Sequence, residues 1–135
     1  MKGTAILSLT IVIIFATISC KKSDTNQYAG TYIGTLTTTD DFVKKDVQLT
    51  FTNTPNKKML YLFDIALTKI SDNQFNADAK IVLEIIHLID TAIKADIVTN
   101  ASATFVFENE EVTMDMKYNL PEIVNYINVR YIGKK

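Results

Sequence analysis

From Gly30 onward, apolar residues recur mainly at every second position, the spacing of strands that bury one face. The first run, GTYIGTLTT, sets Tyr32, Gly34 and Leu36 against Thr31, Ile33, Thr35 and Thr37, and Asp40 and Asp41 break it. The second, residues 45–52, sets Val47, Leu49 and Phe51 against Asp46, Gln48, Thr50 and Thr52, and a Thr54-Pro55-Asn56 turn follows. The third, residues 58–68, places Met59, Tyr61, Phe63, Ile65 and Leu67 on one face. Its other face, Leu60, Leu62, Asp64 and Ala66, is half apolar, which predicts that something covers it.

Two templates fit residues 75–98. Phe75, Ala77, Ala79, Ile81 and Leu83 alternate with polar neighbours as in a strand, while Lys80, Glu84, His87, Thr91 and Lys94 would form one polar stripe on a helix. The wealth of Ile and Val favours two strands, 75–85 and 91–98, with a helix within 79–95 as the alternative. The end of the chain is plainer. Ala103, Phe105 and Phe107 alternate with polar positions, ENEE makes a turn, and Val112, Met114, Met116 and Tyr118 continue the pattern, which predicts a hairpin. A last strand, 123–132, carries Ile127, Val129 and Tyr131 on one face. Eight such runs predict an all-β chain, an antiparallel eight-stranded meander that closes into a barrel and so hides its edges.

Ahead of this body the pattern changes. Lys2 precedes an apolar run from Ala5 to Ala16, then come Thr17, Ile18, Ser19 and Cys20, the only cysteine, and then the polar KKSDTNQ. A basic start, an apolar stretch short for a bilayer span and a small-residue cleavage site describe a secretory signal. Thr17-Ile18-Ser19-Cys20 resembles the lipobox of bacterial lipoproteins. That resemblance implies cleavage after residue 19, acylation of Cys20 on sulfur and amine, and a membrane held through the lipid anchor. It divides the chain into a signal (1–19), a lipidated cysteine with a polar tether (20–27) and a barrel domain (28–135). The location implied is the bacterial cell envelope, and Lys21 in place of an aspartate favours the outer membrane.

The AGTYIGTL opening and the VNYINVRYIG ending resemble the calycin class, the lipocalin-type barrels, and in particular the calycin-like lipoproteins of Bacteroidetes; the likeness covers residues 28–135. Those barrels open on Gly-x-Trp and pack an Arg or Lys from late in the last strand over that ring. Here Gly30 and Tyr32 stand at the Gly-x-Trp positions. Arg130, the only arginine, would be the basic partner, although strand parity sets it opposite Val129 and Tyr131.

Composition narrows the function. Beyond residue 19 there are 13 basic and 15 acidic side chains, a net charge of −2 without the basic face that nucleic acid requires. His87 is the sole imidazole, no Gly-x-Ser-x-Gly elbow is present, and Glu108, Glu110 and Glu111 fall in a turn where acids are ordinarily solvated. No catalytic residues, metal or cofactor are expected, and the chain does not read as an enzyme. Asp90-Thr91-Ala92 resembles the short pattern at which Bacteroidetes attach O-glycans, with Thr91 as the acceptor. The inward aromatics Tyr32, Phe51, Tyr61, Phe63, Phe105, Phe107 and Tyr118 either line a mouth for a small apolar or amphipathic ligand or glycan fragment, or simply fill the core. The second outcome corresponds to a structural or partner-binding envelope protein.

Overall fold

The computed structural model describes residues 25, 27–55 and 59–135. Strands β1 (Gly30–Thr38), β2 (Val43–Asn53), β3 (Leu60–Leu62), β4 (Ile65–Ala66), β5 (Thr68–Ser71), β6 (Gln74–Ala77), β7 (Thr99–Glu108), β8 (Glu111–Asn119) and β9 (Ile127–Lys134) form one antiparallel sheet. Their spatial order is β4-β3-β2-β1-β9-β8-β7-β6-β5. The two sheet edges, β4 and β5, are consecutive in the chain and separated only by Leu67, whose N–H donates to the Leu60 carbonyl at 2.9 Å. The wall is therefore a nearly closed barrel, consistent with a calycin-like one. The expected signal peptide, Cys20 and most of the expected tether fall outside the described residues.

Alternation placed the core correctly in five strands. Tyr32 and Leu36 of β1, Val47, Leu49 and Phe51 of β2, Ala103, Phe105 and Phe107 of β7, Val112, Met114, Met116 and Tyr118 of β8, and Val129 and Tyr131 of β9 are all buried. Their rings pack edge to face across the lumen: Phe51 lies 5.5 Å from Tyr32, 5.5 Å from Phe105 and 5.1 Å from Phe107. Such offset contacts add to the area buried.

Two expectations are corrected. The third run is broken into β3, β4 and β5, and with the loss of the strand expected at 91–98 the count is nine where eight were expected. Phe63 and Asp64 both adopt positive φ, 53° and 61°, the left-handed pair of a tight primed turn, and β3 folds back on β4 there. Parity is reversed with it: Leu60 and Leu62 are buried, while Tyr61 and Phe63 are only partly so and Met59 is exposed.

The strands expected at 75–85 and 91–98 are also overturned. Only residues 74–77 pair as a strand; Ala79–Ile89 is a helix, α1, and Ala95–Ile97 a 3₁₀ turn. The Asp78 side chain accepts from the N–H groups of Lys80 (3.0 Å) and Ile81 (3.1 Å), an N-cap that satisfies two otherwise orphaned donors. Ile81, Val82, Ile85 and Ile86 form the buried stripe. Tertiary context decides between the templates. β3 pairs with β2 only over Phe51–Asn53, and β6 pairs with β7 only over Ala103–Val106. The upper halves of β2 and β7 thus lack a strand between them, and α1 fills that part of the wall. Lys44 on β2 donates to the Leu88 carbonyl at 2.7 Å, a cation at the helix C-terminus.

The two ends of the barrel differ. At the end where β1 begins, Tyr28 stacks on Phe107 with centroids 4.8 Å apart and donates its hydroxyl to the Asp72 carbonyl at 2.7 Å. Lys135 donates to the Gln27 carbonyl at 2.8 Å, and its backbone N–H donates to Glu110. Every described strand and the helix thus lie within residues 21–135, and the first and last strands, β1 and β9, pair side by side.

Candidate functional site

The opposite end is open. The β1–β2 loop, the residues after α1 and the long β8–β9 connection surround an apolar cleft of about 610 Å³. Its walls are Phe42, Ile89, Ile93, Leu120, Ile123 and Ile127, with Tyr118 and Tyr126, and its polar groups include Asp40 and Asp90. A second apolar cleft of about 350 Å³, lined by Ile97, Pro121 and Glu122, shares Leu120 and Ile123 with the first. Around this rim large apolar side chains stand in solvent, and Val124 is 97% exposed.

Local chemistry explains the shape. The β1–β2 loop is tied by Thr38 and Phe42, whose backbone groups bond at 3.0 Å, and by the Thr38 hydroxyl donating to Asp40. That hydrogen bond lowers the Asp40 pKa and keeps the group a carboxylate. After α1, the Asp90 side chain accepts from the Ala92 N–H at 3.0 Å. His87 Nε2 lies 2.8 Å from the Ile93 carbonyl; a carbonyl only accepts, so Nε2 carries the hydrogen and the ring pins Ile93 to the rim.

Tyr118 stands at the inner end of the cleft. It is 3% exposed, it belongs both to the core and to the cleft lining, and its hydroxyl makes no hydrogen bond to a described residue. Burial, and after it the negative charges of Asp40 and Asp90, push its pKa up. The phenol is therefore a neutral hydroxyl whose surroundings are negative.

The residues singled out in the sequence separate into groups. Tyr32, Phe51, Phe105 and Phe107 pack against one another inside the barrel, and Tyr118 alone of the seven aromatics lines the apolar cleft. Tyr61 and Phe63 sit away from it, on and beside β3. Arg130 points outward and pairs with Asp115 across β8 and β9, with Nε 2.8 Å from Oδ1. The basic group near the Tyr32 ring is Lys135, 5.8 Å from its centroid, and its side chain also lies over Gly30. Thr91 is exposed at the rim of the cleft end. Glu108, Glu110 and Glu111 surround the far turn, and among the described residues no three His, Cys, Asp or Glu converge as a metal site. Sequence reasoning missed the cleft itself: Asp40 read as a strand break and Ile123 as part of the last strand. The available signal was the apolar Leu-Pro-Glu-Ile-Val stretch, which lacks any alternation.

No protein-family model matches this chain, and no curated protein or solved structure is significantly similar to it.

Proposed function

We propose that this chain is a lipid-anchored protein of the bacterial cell envelope, of the calycin-like kind. Its small barrel binds one apolar or amphipathic molecule, held in the cleft at the open end and not in the lumen. The observation that carries this reading is the cleft: about 610 Å³, apolar-walled, and within the size range of small-molecule sites. The lumen is filled by its own aromatic rings, which argues against the deeper pocket that inward aromatics suggested.

The anchor rests on Lys2, the apolar run and Cys20. Acyl chains on one cysteine, at about 0.8 kcal/mol per buried methylene, hold a protein stably where a single chain would not. Lys21 favours the outer membrane as its location. The tether would reach the barrel at the Tyr28 end, so that the cleft opens away from the leaflet that holds the lipid, with the nine-residue β1 between them. Cys20→Ala is expected to move the protein into the soluble fraction or leave it unprocessed. Unchanged membrane association, with no acyl mass on the natural protein, would refute the anchor.

The binding reading is tested by thermal unfolding of residues 21–135 with neutral alkanols, fatty acids and bile-type amphiphiles. A ligand present at a hundredfold excess over its dissociation constant adds about 2.7 kcal/mol to stability and raises the melting temperature. Ile123→Asp, on an exposed loop, should leave the unliganded melting temperature nearly unchanged and abolish the rise. The packed lumen supports a second reading, a structural or partner-binding envelope protein with no ligand. A complete absence of shifts across that panel would establish it over the first.

A further inference from the structure

The charge of the cleft lining deepens that reading and depends on it. The lining includes two carboxylates, Asp40 and Asp90, and no Lys or Arg; the adjoining cleft adds Glu122 and again no cation. Two basic groups beside the cleft are already engaged, one at a helix end and one on the outside of a wall ring. Lys44 caps α1 at the Leu88 carbonyl, and Lys117 lies over the Tyr126 ring, 4.8 Å from its centroid. At the inner end, the Tyr118 ring is buried while its hydroxyl reaches the cleft and makes no hydrogen bond to a described residue. Its donor and acceptor capacity are both unused there, so a ligand's polar atom placed beside it gains a partner.

We propose that the molecule held here is a cationic amphiphile, an alkyl chain ending in a protonated amine. The chain lies along Ile89, Ile93, Leu120 and Ile123, and the ammonium donates to Asp40, Asp90 and the Tyr118 oxygen. An ammonium has three donors and no acceptor, which suits two carboxylates and a phenol oxygen. A carboxylate-headed chain of the same length would meet like charge at both aspartates. The apolar walls bind either chain equally, so the head group alone decides between them.

The experiment compares dodecylammonium, dodecanol and dodecanoate, each below its micellar concentration, with residues 21–135. Binding is read from the methyl NMR shifts of Ile89, Ile93, Ile123 and Ile127, which report on the cleft itself. Dodecylammonium is expected to bind about tenfold or more tighter than dodecanoate, the scale of reversing one charge beside two partly exposed carboxylates. In the double variant Asp40→Asn, Asp90→Asn the preference should vanish while dodecanol binding persists. Asn keeps the Oδ1 acceptor that holds the Ala92 N–H, so the loop after α1 retains its geometry. Dodecanol binding with no preference for the ammonium, or a preference that survives the double variant, would overturn the cationic assignment and leave the apolar cleft standing. Binding by none of the three would overturn both.

Discussion

Phe105→Ala is expected to destabilise the barrel by roughly 3–5 kcal/mol, the cost of truncating a fully buried aromatic and leaving a cavity. Phe105 sits at the middle of β7 with no exposed surface, and its ring meets Phe51 edge to face at 5.5 Å. The neighbouring rings cannot collapse into the space, because Phe51 is itself wedged against Tyr32 and Phe107. Thr104, one residue earlier, points to the outer wall, where its hydroxyl donates to Asn76 Oδ1 at 3.0 Å. Thr104→Ala should cost no more than about 0.5 kcal/mol, as surface substitutions usually do. Urea unfolding of both variants measures the two values. Similar losses at the two positions would contradict the assignment of inner and outer faces.

Gly34→Ala should be comparably severe, at roughly 3 kcal/mol or more, the upper end of what overpacking costs. A Cβ at Gly34 would lie 2.0 Å from the Ile132 carbonyl oxygen and 2.5 Å from Gly133 Cα. Both obstacles are backbone, so no side chain can turn aside; β1 must move away from β9. Gly34 and Gly133 face each other across that strand pair, and the missing side chain of Gly133 lets the Tyr131 ring lie over it. From there its hydroxyl reaches the carbonyls of Val47 at 2.8 Å and Tyr32 at 3.1 Å. Separating the strands therefore also strips a buried hydroxyl of its partners. A loss below about 1 kcal/mol in chemical denaturation would show that the β1–β9 contact is looser than this geometry requires.

What could be read from the sequence follows the length of each strand and what lies on either side of it. β1, β2, β7, β8 and β9 have eight to eleven residues, one wet face and one buried face, and their alternation names the core residues correctly. In the third run Phe63 occupies a left-handed turn position, where aromatic residues are uncommon; before that turn Leu60 and Leu62 face the core in place of Met59 and Tyr61, while Leu67 beyond it is buried as its alternation predicts. For residues 79–89 local pattern left two templates, and the deciding fact was distant: the short β3 and β6 leave a gap that a helix can fill. The cleft was hidden for a similar reason. Asp40, Asp90 and the Tyr118–Ile123 segment are far apart in sequence, and only closure of the barrel gathers them at one end.

The seam between β1 and β9 also bears on how the chain reaches this structure. Tyr131 and the Tyr32 carbonyl it bonds are 99 residues apart in sequence, whereas β7 and β8 are joined by a two-residue turn. Loop-closure entropy grows with the logarithm of the intervening length, so chain entropy opposes the seam far more than it opposes the β7–β8–β9 meander. Non-local pairings of this kind place a domain among the slower folders, on the scale of milliseconds to seconds. Until the seam forms, β1 and β9 each present an unpaired edge to other chains. The two facing glycines and the tyrosine laid over Gly133 close the interval in which a nascent barrel can aggregate.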